Sequence, residues 1–155
     1  MAKLDDINRR ILDTLQKDCS ITNQELAGRQ GLAPATTLER VKKLEQSGYI
    51  RKYVALLDEK KLERHIKAYV FITMKDHSDR SIQEFNRRIQ ELPEVMECCR
   101  LAGEKDYLLK VLVQNIEDYE CFTRTRLSTI PGIDKTSSSI VLASIVDRTD
   151  FVIDP

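Results

Sequence analysis

The chain has 155 residues, 41% hydrophobic and 32% charged, with 25 basic and 25 acidic side chains and a formal net charge of zero. That balance excludes a predominantly disordered chain, and no apolar run reaches the ~18 residues that a membrane-spanning helix needs. The length suits one domain or two small ones, and the opening Met1-Ala2-Lys3-Leu4-Asp5-Asp6 leads into an acidic amphipathic helix without a signal-peptide core, so a cytoplasmic location is expected.

Leu4, Ile7, Ile11 and Leu15 recur at helical spacing and give a first helix with one apolar stripe. A second helix is predicted to start at Asn23. The Thr22 hydroxyl can accept from the third helical amide, Glu25 can reach back to Thr22, and Ile21 can pack on Leu26 as a hydrophobic staple. Gly31 sits where a helix ends with positive φ, and Pro34 has a preset φ suited to the first turn of a third helix. In that helix Leu38, Val41 and Leu44 are predicted to face inward, and Thr36, Thr37, Arg40 and Lys43 to reach outward. Gly48 then leads into Tyr49-Ile50-Arg51-Lys52-Tyr53, read as a wing. This order is a winged helix-turn-helix, whose second helix commonly enters the major groove of double-stranded DNA. Residues 1 to 64 hold 13 basic against 10 acidic side chains, and residues 65 to 155 hold 12 against 15. The basic excess therefore lies where phosphate contacts are useful, in Arg40, Lys42, Lys43, Arg51 and Lys52. The candidate DNA contacts are Ala35, Thr36, Thr37, Arg40 and Lys43 on the third helix, with Arg51 and Lys52 on the wing.

The charged stretch Asp58 to Arg64 is the best domain boundary, with the DNA-binding domain at 1–57, a connector at 58–66 and a second domain at 67–155. Beyond it the hydrophobic period changes. Ala68 to Met74 reads as a strand; Ile82, Phe85, Ile89 and Leu92 as a helix ended by Pro93; Val95 to Leu101 and Tyr107 to Val113 as strands around a turn at Ala102 to Asp106. A further helix is predicted from about Glu117, carrying Tyr119, Phe122 and Leu127, to Pro131-Gly132, and a last strand from Ser138 to Val146. The order βαββαβ is ferredoxin-like, so the whole chain is α+β: a winged helix-turn-helix followed by an antiparallel sheet with helices on one face. Strands as apolar as these leave an open face poorly matched to water, and dimerisation through it would set two DNA-reading heads at half-sites ~10 bp apart or a multiple of that.

Cys19, Cys98, Cys99 and Cys121 form no Cys-x-x-Cys pair, and His65 and His77 are isolated, so no metal site is expected. Cys98 and Cys99 should point to opposite faces of their strand, one buried and one partly exposed. No paired carboxylates, Cys-His arrangement or phosphate loop stands at a useful spacing, so no catalytic residues and no cofactor are expected.

The order of Leu4-Asp5-Asp6-Ile7-Asn8-Arg9-Arg10-Ile11-Leu12, the run Leu32 to Glu45, Ser47-Gly48-Tyr49-Ile50, Leu101-Ala102-Gly103-Glu104-Lys105-Asp106-Tyr107-Leu108-Leu109 and Thr136 to Leu142 resembles the leucine-responsive regulator and asparagine-synthetase regulator (Lrp/AsnC) family, the feast/famine regulators, over nearly the whole chain. The resemblance implies an operator-binding head and a regulation-of-amino-acid-metabolism (RAM) domain that forms dimers, then tetramers or octamers. It also implies a small effector, usually an amino acid, bound between dimers beside a Gly-x-x-Asp turn. Here that turn is Gly103, Glu104, Lys105 and Asp106, with Tyr107 and the hydroxyl run Thr136, Ser137, Ser138 and Ser139 nearby. Backbone amides of the turn can hold a carboxylate, and Asp106 or Glu104 can pair with an ammonium. From the residues alone, Gly103 equally serves a hairpin turn that Asp106 caps, and the serine run a solvated strand. The sequence departs from the family pattern at Ala33, where a Ser often caps the third helix; at Glu39, where a basic residue is frequent; and at Arg64-His65, in place of a frequent Gly. Glu39 can read a cytosine amino group or pair with Lys43. Two other functions fit the same architecture: an enzyme like the similar sirohaem decarboxylases, and an architectural protein that wraps DNA without an effector.

Overall fold

Asp5 starts the first helix by accepting the Asn8 amide at 2.7 Å, and α1 then runs Asp6–Lys17. The computed structural model describes residues 4–153. α2 spans Asn23–Gln30 behind the expected capping box, with the Thr22 hydroxyl accepting from the Glu25 amide and the Glu25 carboxylate accepting from the Thr22 amide at 3.0 Å. Gly31 ends it at φ 66 in the left-handed region, and α3 begins at Pro34 and runs to Gln46. Ala33 is its N-cap and offers no side-chain bond. The Asn23 side chain donates to the Pro34 carbonyl at 2.9 Å, tying the start of α2 to the start of α3. Ile11, Leu26 and Leu44 are buried together, with Leu4, Ile7, Leu15, Ile21, Val41 and Ile50 packed around them.

The inward face of α3 differs from the expected one. Thr37 is fully buried, its hydroxyl donating to the Ala33 carbonyl at 3.2 Å, while Leu38 is 44% exposed. The six residues from Leu38 to Leu44 turn a helix through about 600°, which leaves the two roughly 120° apart; Thr37, Val41 and Leu44, at spacings of four and three, share the stripe instead. After Gly48 the wing segment has no regular secondary structure, and no strand lies between α3 and Ile66. The Tyr53 hydroxyl returns to Glu45 at 2.8 Å. The connector winds into a short turn, with Asp58 accepting the Lys60 and Lys61 amides at 3.0 and 3.2 Å.

The second half is a four-stranded antiparallel sheet ordered β2-β3-β1-β4, with β1 at Ile66–Met74, β2 at Val95–Arg100, β3 at Tyr107–Val113 and β4 at Ile133–Ile140. α4 (Asp79–Gln90) and α5 (Ile116–Phe122), the latter extended by a π-helical turn at Thr123–Leu127, supply the helical layer. Alternate residues of the two central strands, Ala68, Val70, Ile72 and Met74 with Tyr107, Leu109, Val111 and Val113, are buried with Phe85, Ile89, Phe122 and Leu127. The other set, including Tyr69, Phe71, Leu108 and Leu112, lies on the opposite face, which these helices do not cover.

Two expectations need correction, the end of the last strand and the burial of the cysteine pair. The last strand ends at Ile140, not Val146: β1 begins at Ile66, so pairing stops at Ala68 with Ile140 and a final bond from the Val141 amide to Lys67. The described residues divide by their contacts into two compact units, 57–144 and 4–56 with 145–153, so that the last residues group with the head. Gln16 fastens it there, its amide nitrogen donating to the Phe151 carbonyl at 2.8 Å and its oxygen accepting the Phe151 amide at 3.2 Å. Of the cysteine pair, Cys98 is exposed and Cys99 intermediate; neither is buried, because β2 is an edge strand.

Candidate nucleic-acid interface and effector turn

Capping of α2, the left-handed Gly31 and Pro34 fix the angle at which α3 stands on the head. Its outer surface carries Ala35, Thr36, Glu39 and Lys43, all exposed, and Arg51 and Lys52 are exposed on the segment that follows. Among the described residues no ion pair joins Glu39 to Lys43. Thr37, expected among the DNA contacts, belongs to the core. Arg40, expected to point outward, turns to the start of α1, where its guanidinium donates to Asp5 at 2.6 Å and to Asn8 at 3.0 Å. That guanidinium, with the Asn8 amide, holds the Asp5 carboxyl below the usual carboxylate range. Arg40 thus clamps α3 to α1.

In the sheet domain, the hairpin between β2 and β3 closes with the Leu101 amide on the Asp106 carbonyl at 2.8 Å, and the Asp106 amide donates across to the Ile72 carbonyl of β1 at 2.9 Å. Gly103 takes φ 156, a backbone region in which other residues are strained, and the Glu104 carboxylate pairs with Lys105 at 2.9 Å. Asp106 is deeply engaged: one oxygen accepts the Met74 amide at 2.7 Å, and the other lies 2.7 Å from His77 Nε2. The Met74 amide, followed by His77, lowers the Asp106 carboxyl from its ordinary value. Ile72 pairs with Tyr107 on one side and Thr136 on the other, so the turn and the start of the hydroxyl run flank one end of β1.

Tyr107, expected near an effector, is a core residue, 3% exposed, its ring 4.3 Å from that of Phe85. Its buried hydroxyl has no hydrogen-bond partner among the described residues. The hydroxyl run is exposed but does not form one surface: Thr136 and Ser138 point to one face of β4, and Ser137 and Ser139 to the other. His77 is the residue that sequence reasoning missed. Antiparallel pairing of β1 with β3 makes the residues just past the end of β1 neighbours of those just before β3, and that register was the signal available. Among the described residues no three His, Cys, Asp or Glu side chains converge as metal ligands would, and no helix is long and apolar enough to cross a membrane.

Residues 67–151 match the Lrp/AsnC ligand binding domain, and residues 4–51 match a winged helix-turn-helix DNA-binding family. The leucine-responsive regulatory proteins of Escherichia coli K12 and Salmonella typhimurium are each 37% identical over 150 residues, covering 97% of this chain and 92% of theirs. Among solved structures, a transcriptional regulator of Neisseria meningitidis in complex with L-Met superposes with a TM-score of 0.93 at 31% identity, covering 97% of both chains. An AsnC family transcriptional regulator of Agrobacterium tumefaciens does so with a TM-score of 0.90 at 34% identity, covering 96% of both.

Proposed function

The chain belongs to the Lrp/AsnC family and is a DNA-binding transcriptional regulator with a ligand-binding domain, and from that premise we propose that an amino acid bound at the Gly103–Asp106 turn sets its assembly and its hold on an operator. The observation that carries the DNA-reading half is the outer face of α3. Ala35, Thr36 and Lys43 stand exposed on a helix whose angle is locked by a capping box and a left-handed glycine. Thr36 and Glu39 then read base edges, while Lys43, Arg51 and Lys52 hold phosphates. The work is done where the chromosome is, in the cytoplasm.

An amino acid needs donors for its carboxylate and an acceptor for its ammonium, and the hairpin turn offers exposed amides beside a carboxylate. The Neisseria relative, in complex with L-Met, supports an amino acid as the class. The uncovered sheet face, with Tyr69, Phe71, Leu108 and Leu112, suits a second copy of the chain, and dimers assembled further into tetramers or octamers bring turns together. Calorimetry with the twenty amino acids, run beside sedimentation with and without each ligand that binds, tests the effector half. A ligand that shifts the assembly equilibrium supports it. Heat from no amino acid, with an unchanged sedimentation pattern, contradicts it and leaves an effector-free DNA-wrapping protein.

A further inference from the structure

Asp106 is the obvious partner for an effector's ammonium, but its oxygens are already engaged, one by the Met74 amide and one by His77, and its side chain is only 19% exposed. The imidazole beside it is open, with 61% of its side chain exposed. We propose that His77, oriented by Asp106, is the acceptor for the effector's ammonium, while the amides of the turn receive the carboxylate; this rests on the reading that the turn is the effector site.

Tautomer logic carries the assignment. Asp106 is ionised across the neutral range, so it can only accept, and a neutral His77 must carry its proton on Nε2 to meet it. Nδ1 is then a bare lone pair with no partner among the described residues. Among the described residues the Gly103, Glu104 and Lys105 amides have no hydrogen-bond partner, the hairpin closing on the Leu101 amide instead. Gly103 has no atom within 4 Å of where a Cβ would stand, so a ligand can approach its backbone. An acceptor, held to Asp106 by a hydrogen bond, and a set of donors, just before it in the chain, thus both adjoin Asp106, as a zwitterion requires.

The arrangement makes binding depend on pH. The charged groups acting at His77 are Asp106 across the strand and Asp76 on its own loop, the latter already tied to Ser78 and Ser81; Arg100, at the end of β2, acts on Asp106. Protonation of the ring turns Nδ1 from acceptor into donor and sets a positive charge against the ammonium. Affinity for an amino acid is therefore greatest when the imidazole is neutral and falls once the ring is protonated. A ligand with the carboxylate but no ammonium shows the opposite trend.

The test is calorimetry of the full chain with L-methionine, L-leucine and 4-methylpentanoate between pH 8 and pH 5.5, on wild type, His77→Gln and His77→Ala. Glutamine can still donate to Asp106 and offer an uncharged acceptor, but it does not titrate. For wild type, amino-acid affinity is expected to fall towards acid pH, by at most about tenfold per pH unit, with the reverse slope for 4-methylpentanoate. His77→Gln is expected to keep the amino-acid affinity and lose the slope, and His77→Ala to bind about tenfold more weakly at pH 8. Equal affinities and equal pH profiles in all three proteins overturn the role of His77 while leaving the turn as the effector site. If neither L-methionine nor L-leucine binds, the same series is run with the other eighteen amino acids, and failure of wild type to bind any of the twenty at any pH overturns the site itself, and this inference with it.

Discussion

The Asp106 carboxylate accepts the Met74 amide at 2.7 Å, so the residue that leads into β3 also fastens the last residue of β1. With the hairpin amide of Asp106 on Ile72, this makes one side chain the junction between the central strands and the turn. Asp106→Asn keeps an oxygen acceptor and removes the charge. A hydrogen bond to an ionised group contributes about 1.5 to 3 kcal/mol against about 1 for a neutral one, so the variant is expected to lose about 1 kcal/mol at pH 7. The folded carboxyl is lowered, so its contribution is present above the unfolded value of about 3.9 and is lost as pH falls through the folded value. Thermal melts from pH 7 to pH 2 should show a steeper acid limb for wild type than for Asp106→Asn. Parallel acid limbs would contradict the assignment.

Arg40 and Lys43 should separate folding from DNA binding. Arg40 bonds Asp5 and Asn8, so Arg40→Ala is expected to lower the melting point of the head, by about 1 kcal/mol of stability, before any effect on an operator is counted. Among the described residues Lys43 makes no ion pair; Lys43→Ala should leave the melt unchanged, weaken all DNA sequences alike and reduce the salt slope by about one. A normal melt for Arg40→Ala together with a relaxed base preference would restore Arg40 as a base reader.

Ala33 offers a third check. It holds the extended N-cap conformation, φ -70 and ψ 144, yet makes no side-chain bond. Ala33→Ser supplies the missing acceptor for an amide of the first turn of α3 and is expected to stabilise the head by about 0.5 to 2 kcal/mol in urea titration. A serine that brings no gain would mean that the Thr37 bond to the Ala33 carbonyl already exhausts what this cap can contribute.

Gln16 and Phe151 link the end of the chain to α1 by two hydrogen bonds. Gln16→Leu removes both partners, and removal of residues 145–155 removes the tail. Both are expected to speed amide exchange in α1, the truncation more so, while the β1 and β3 amides stay protected. Unaltered exchange in α1 after truncation would show that the tail contributes nothing to the head.

Elements defined by local chemistry were legible in the sequence. Thr22, Glu25, Gly31 and Pro34 determine both ends of α2 and the start of α3 to the residue, because each acts on atoms at most a few positions away. β3 was legible from end to end, and β1 and β2 to within two residues, since apolar runs bounded by turn residues delimit them. The face of α3 was misread at Thr37 and Leu38 because a three-residue repeat drifts around a 3.6-residue helix. The end of β4 depends on where its partner begins, and Val141 to Val146 look as much like a strand as the residues before them. His77 and Asp106 stand 29 positions apart, and only the pairing of β1 with β3 brings them together.

The central claim is that an amino acid at the hairpin turn alters the hold of the head on its operator, and titration of an operator selected from genomic DNA, at fixed salt and by fluorescence anisotropy, tests it most directly. With saturating L-leucine, L-methionine or another amino acid that binds, the operator Kd is expected to shift by about 5- to 150-fold, while binding to unrelated DNA stays the same. An operator Kd that no amino acid changes, or binding that shows a steep salt slope and no preference for the operator, would contradict it.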